Sequence, residues 1–259
     1  MNENWPQNLM LVAFLGIVTI FTAYQEGYLG AITFDPPIGA LFWLVLIAGF
    51  VVSIWMALNI ATGRMLALML GIFIIEYIKE GIGIRSGMWS YHGLPNTYNF
   101  GVWAWVMGGM GVFWIAVRLV IRWMRKLTAG LHRRWNLLNP IIVVLIFATI
   151  ALTLGDYRRG AGGWFWSLYA ILFMVTLVSA CLMDLPVFLG LLLTTWVVGF
   201  FSEYAGSVPS RIWTFTHNPN FPPIFLIIGC WPLEIFTQYA LSAFLANEPL
   251  DKYTFKEGG

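Results

Sequence analysis

Four glutamates, Glu76, Glu80, Glu203 and Glu234, stand within or at the ends of long apolar runs. A charged group in such a run is costly and is seldom kept without a role. Glu76 and Glu80 are four residues apart and share one helix face, with Lys79 beside them to neutralise one. Glu234 follows Trp231-Pro232-Leu233, where a proline inside a helix frees a backbone carbonyl and can kink the axis. Desolvation disfavours the charged form of a carboxyl in apolar surroundings, so such a group can hold a proton and act as a general acid. The plainer alternative pairs Glu80 with Arg85 and Glu203 with Arg211, or has these carboxylates cap backbone amides.

Two of the glutamates open a motif that the chain writes twice. Glu80–Tyr91 reads EGIGIRSGMWSY and Glu203–Phe215 reads EYAGSVPSRIWTF; a Pro-Asn pair follows each, at Pro95-Asn96 and Pro219-Asn220. Trp89 and Trp213 thus follow a glutamate at nearly constant spacing, and their rings could steady a carbocation by cation–π attraction or simply pack the two corners. Trp164 and Trp166, at a helix start, read instead as an interfacial belt. His92 and His217 lie near the motifs, but no HxxxH, HxxE or CxxC spacing accompanies them, so no metal site is expected. Cys181 and Cys230 lie in apolar runs and read as packed small residues. Phosphate loops, Ser-His-Asp cues, Asp-rich diphosphate motifs and redox motifs are all missing. Acid–base chemistry without a cofactor is the expectation.

The elements that must carry these groups are membrane spans. The chain has 259 residues, 59% hydrophobic and 10% charged, with a mean hydropathy of +0.78, more apolar surface than a water-soluble domain can hide. A net charge of +2 gives no reason to expect nucleic acid. Apolar runs long enough to cross a bilayer recur at about 9–24, 39–61, 65–80, 100–120, 140–154, 164–182, 186–203 and 223–246. The fold expected is an all-α polytopic membrane protein, with about eight transmembrane helices as two parallel four-helix repeats. The repeats are 1–122 and 138–259, joined by a basic cytoplasmic linker, 123–137, whose Trp123, Leu127 and Leu131 would share the face of an interfacial helix. The start, MNENWPQNLM, lacks a basic signal region, so the first run should be retained. Arg64, the linker charges, Lys252 and Lys256 outnumber Lys79, Arg85, Arg158, Arg159 and Arg211, which favours termini in the cytoplasm, in a bacterial inner membrane.

Glu203-x-x-Gly206, Trp213-Thr214-Phe215 and Pro232-Leu233-Glu234 with Phe236 resemble the small integral-membrane lycopene cyclases, and Glu80-Gly-Ile-Gly83 with Trp89-Ser-Tyr91 is similar to the related carotenoid hydratases. The resemblance covers about 45 residues in each half. It differs at Ile235, where the family has a second glutamate, and at Glu203, where it has aspartate; Val102-Trp103-Ala104 stands where a Pro-x-Glu would fall. The resemblance implies that Glu234, Glu203 and Glu80 are the acid and base residues that protonate a polyene without net redox change. Trp89 and Trp213 would line the polyene channel, and Tyr91, Phe215, Glu76 and Trp231 would complete the substrate wall.

Two other readings stand beside a cyclase or hydratase. One is a non-catalytic membrane subunit, or a module binding a lipid or pigment, that docks other membrane chains. The other is a proton-coupled transporter using Glu76 or Glu80. The partners expected are a lipid-soluble isoprenoid or bound lipid and the membrane itself.

Overall fold

The computed structural model describes residues 3–27, 38–91, 98–131, 133–153, 162–207, 213–215, 226–250 and 253. Among the described residues the protein is all-α apart from one pair of short strands. In order come α1 (Trp5–Gln25), α2 (Ile38–Asn59), α3 (Thr62–Arg85), β1 (Trp89–Tyr91) and α4 (Asn99–Leu127). Then follow a tight turn of helix (Arg133–Leu137), α5 (Leu138–Thr153), α6 (Gly162–Leu182), α7 (Leu185–Ser207), β2 (Trp213–Phe215) and α8 (Trp231–Leu245).

Trp5–Gln25, Asn99–Leu127, Trp135–Leu152 and Leu185–Ser202 are long and apolar enough to cross a membrane, the four that qualify among the described residues. The 24-residue α3 is about 36 Å long at 1.5 Å per residue, but it carries Arg64, Glu76, Lys79 and Glu80. The outer helices expose apolar stripes at helical spacing: Met10, Phe14, Ile17 and Phe21 on α1, and Ile171, Met174, Val178 and Leu182 on α6. Polar groups turn inward. Thr194 and Thr195 donate to the carbonyls of Gly190 and Leu191, four residues back, so their hydroxyls are satisfied without solvent.

The centre of the molecule is α3, α4, α7 and α8. The helix α3 lies along α8 and α7 along the second part of α4, while α1 and α2 flank one side and α5 and α6 the other. Small residues let the backbones approach: a Cβ on Gly71 would strike Ser242 of α8, and one on Gly190 would strike Ile121 of α4. Two asparagines hold the flanks in matching ways. Asn8 of α1 donates to the carbonyls of Ala57 and Ile60 at the end of α2, at 3.0 and 2.7 Å. Asn139 of α5 donates to those of Ala180 and Met183 at the end of α6, at 3.4 and 2.9 Å.

Several boundaries differ from those read in the sequence. The third span does not stop at Glu80. It runs on to Arg85 and closes with a left-handed Gly87 (φ +68°), where Met88 N–H bonds to Gly83 C=O and Gly87 N–H to Ile84 C=O. A glycine in that position is a helix stop, with the basic Arg85 in the last turn, and it outweighs the polar composition from Gly81 onward. In the same way α7 continues past Glu203 to Ser207. The helix α4 also extends, through one wider turn at Ala116–Val120, to Leu127, so the expected linker 123–137 begins inside a helix. The expected Pro95-Asn96 and Pro219-Asn220 pairs, His92 and His217 lie outside the described residues.

Candidate functional site

The two corner motifs meet. β1 and β2 pair antiparallel, with Trp89 opposite Phe215, Ser90 opposite Thr214 and Tyr91 opposite Trp213. Glu80 and Gly83 lie three apart on one face of α3, and the chain reverses after Gly87 so that Trp89 returns over that face. The indole N–H of Trp89 donates to Glu80 Oε2 at 2.8 Å. A Cβ on Gly83 would overlap the same indole ring, so the glycine of Glu-x-x-Gly is the seat of the tryptophan that follows it.

Lys79 is the hub. Its Nζ lies 2.7 Å from Glu76 Oε2, 3.3 Å from Glu80 Oε1 and 3.3 Å from Glu234 Oε2. Glu76, Lys79, Glu80 and Glu234 are only 4, 8, 2 and 6% exposed, so the cluster is removed from solvent. One ammonium faces three carboxyls, and the cluster is neutral when two of the carboxyls carry protons. Each carboxyl has a second partner. Glu76 Oε1 accepts from Gln238 Nε2 at 2.6 Å, Glu80 from Trp89, and Glu234 Oε1 from the hydroxyl of Tyr169. Thus α3 brings the lysine and two acids, α8 brings Glu234 and Gln238, and α6 brings Tyr169.

Pro232 has a local consequence. A wide turn at Leu226–Cys230 leads into α8, and the carbonyl of Ile228, four residues before the proline, accepts from Trp196 Nε1 at 3.3 Å. The side chain of Trp231, immediately before the proline, lies over Gly199 of α7. In this way the proline sets both the helix start and the indole next to the acid.

A cavity of about 40 Å³ is lined by Lys79, Glu80, Trp89, Tyr91, Trp105, Tyr169, Trp213, Cys230, Trp231 and Glu234. That is room for water-sized guests. Trp105 of α4 is its keystone, with ring centroids 5.8 Å from Trp213 and 5.1 Å from Trp231, and Lys79 Nζ 5.6 Å from its own ring centre. Behind the shared wall of Tyr91, Trp105 and Trp213 lies a second, apolar cavity of about 60 Å³, lined further by Leu46, Phe100, Ala104, Val112 and Val198.

Of the residues singled out in the sequence, Glu80, Trp89, Tyr91, Trp213, Trp231 and Glu234 line the first cavity, and Glu76 joins them through Lys79. Glu203 falls on α7 and Phe215 on β2, but their side chains lie outside the described residues. The pairing considered for Glu80 with Arg85 does not form: Glu80 turns inward to Lys79, and Arg85 is exposed on another face of α3. Arg211 lies outside the described residues. Sequence reasoning missed Trp105, Tyr169 and Gln238. A signal existed for the last, which is four residues beyond Glu234 on the same helix face. Among the described residues no group of histidines, cysteines and carboxylates has the arrangement of a metal site.

Comparison with known proteins finds no protein-family model, no curated protein and no solved structure that matches the chain.

Proposed function

We propose that the chain is a membrane-embedded enzyme that acts by acid catalysis on an apolar, isoprenoid-type polyene, cyclising or hydrating it without net redox change. The observation that carries this reading is the buried meeting of Glu76, Glu80 and Glu234 on Lys79 within a wall of tryptophans, next to an apolar cavity. In this reading all eight helices cross the bilayer as two parallel four-helix halves, with termini on the cytoplasmic side. The apolar stripes of α1 and α6 and the matching asparagine ties of Asn8 and Asn139 support it. Lys79 and Arg118 are buried and drop out of the loop-charge balance, one from each side, so its direction is unchanged.

Glu234 is the proton donor. Its carboxyl gives H⁺ to one carbon of a C=C bond, the π pair forms the new C–H bond, and the neighbouring carbon becomes a cation. The carboxylate left behind stays beside Lys79, which already lies at 3.3 Å. The faces of Trp105, Trp213 and Trp231 stabilise the cation, an interaction worth about 2 kcal/mol or more when desolvated. A second double bond then attacks the cation to close a ring, and a C–H proton leaves to a carboxylate; alternatively water adds and gives up its proton. Atoms balance as an isomerisation in the first case and as addition of one water in the second. Because both cavities are far smaller than a site for a ligand of ordinary size, substrate enters only when the aromatic wall of Tyr91, Trp105 and Trp213 and the helices beside it move apart.

Expression in a carotenoid-producing host tests this. Glu234→Gln should abolish the new product while protein level is unchanged; full product formation by that variant contradicts the assignment. The narrowness of the cavity favours one further reading, a non-catalytic module that binds a lipid or pigment or docks other subunits. Purification in mild detergent separates the two, since co-purifying protein chains with no isoprenoid would favour the module.

A further inference from the structure

The face of α3 opposite the acid cluster carries a second site. At 100° per residue, Tyr77, Ile78, Gly81, Ile82 and Arg85 lie on the far side of the helix from Glu76, Lys79, Glu80 and Gly83. Together with Ser86 and Tyr98 they line a groove of about 630 Å³, far roomier than the central cavity and within the range of sites that hold a ligand of ordinary size. Its walls are divided. Ile78 is 44% exposed on the side toward the middle of α3, and Ile82 continues the apolar surface. The polar groups gather at the helix end, where Tyr77, Tyr98 and Arg85 line the groove together and the two phenol rings stand 5.7 Å apart. The neighbouring Tyr77 phenol, then burial, push the Tyr98 phenol above its ordinary value against the pull of Arg85, so it remains a neutral donor. No carboxylate lines the groove among the described residues. The last carbonyls of α3 are closed by the Gly87 cap, and among the described residues Arg85 is the charged side chain that lines the groove.

A guanidinium and two phenol hydroxyls converging above an apolar wall suit a phosphate carried on a hydrocarbon chain. We propose that this groove binds the head of an anionic phospholipid, with its phosphate on Arg85, Tyr77 and Tyr98 and its acyl chain along Ile78 and Ile82. The site rests on the reading that α3 lies in a bilayer and is independent of the acid chemistry. Nothing is transferred; the lipid would hold the end of α3, and so the corner carrying Trp89, at the depth of the headgroups.

Native mass spectrometry of the full chain tests the site without any turnover. The protein, delipidated in mild detergent, is offered phosphatidylglycerol, phosphatidylcholine or inorganic phosphate in separate samples. The expected result is retained phosphatidylglycerol, which Arg85→Gln weakens about tenfold, the loss typical of one charge-assisted contact. Tyr98→Phe should weaken it less, and both variants should keep the wild-type melting temperature. Equal retention by wild type and Arg85→Gln would overturn the site. So would equal retention of the two lipids, or displacement of phosphatidylglycerol by inorganic phosphate alone, which would make free phosphate the ligand.

Discussion

A single lysine decides whether three buried acids can coexist. Breaking a buried ion pair by removing one partner costs about 3–5 kcal/mol, because the charge left behind has lost its compensation. Lys79→Met leaves Glu76, Glu80 and Glu234 without their common cation, so a marked fall in melting temperature and in folded yield is expected. Tyr169→Phe is a milder change. It removes one hydrogen bond to Glu234, and product formation should fall about tenfold with folded yield retained. Product analysis and thermal melting of the two variants would separate structural from catalytic loss. The carboxyls were legible in the sequence because charge stands out in an apolar run. Trp105 and Tyr169 were not, since an aromatic inside a span is ordinarily packing, and only tertiary structure shows which of them face the acids.

Among the elements, the corner after α3 explains its own motif. Gly83→Ala puts a methyl into the Trp89 indole and displaces the N–H that Glu80 accepts. Overpacking of this kind costs about 1–3 kcal/mol, and a lower melting temperature together with weakened product formation is expected. The asparagine ties predict a purely structural effect. Asn139→Ala removes two hydrogen bonds to the end of α6, each with a net contribution of about 0.5–1.5 kcal/mol. Melting temperature should drop without change in the product formed. Where the eight long helices fall could be read from hydropathy, because apolar length is a one-dimensional property. Even so, α4 runs seven residues further than expected, and α8 starts at Trp231 rather than near Pro223. The helix ends could not be read so well: Gly81–Arg85 look like loop by composition, and only the αL cap at Gly87 shows where α3 stops.

At the scale of the whole molecule, the acid site belongs to neither half alone. Glu76, Lys79 and Glu80 come from the first half, Glu234, Gln238 and Tyr169 from the second, and α3 on α8 and α4 on α7 interlock them. Residues 1–131 and 132–259 made as separate chains should therefore each be poorly folded, and expressed together they should restore product formation. The likeness of the two corner motifs was visible in Glu-x-x-Gly and in the Trp-Ser-Tyr and Trp-Thr-Phe endings. The antiparallel pairing of β1 with β2, which puts both corners over one cavity, was not, because a repeat in sequence carries no information about contact between its copies. The central claim is that a glutamate, whose proton exchanges with solvent each time the site opens to admit substrate and release product, protonates a carbon–carbon double bond. Turnover in deuterated water, followed by mass spectrometry of the product, tests it directly. One solvent-derived deuterium per ring closed or water added is the predicted result, and a product lacking solvent-derived deuterium on carbon would contradict it.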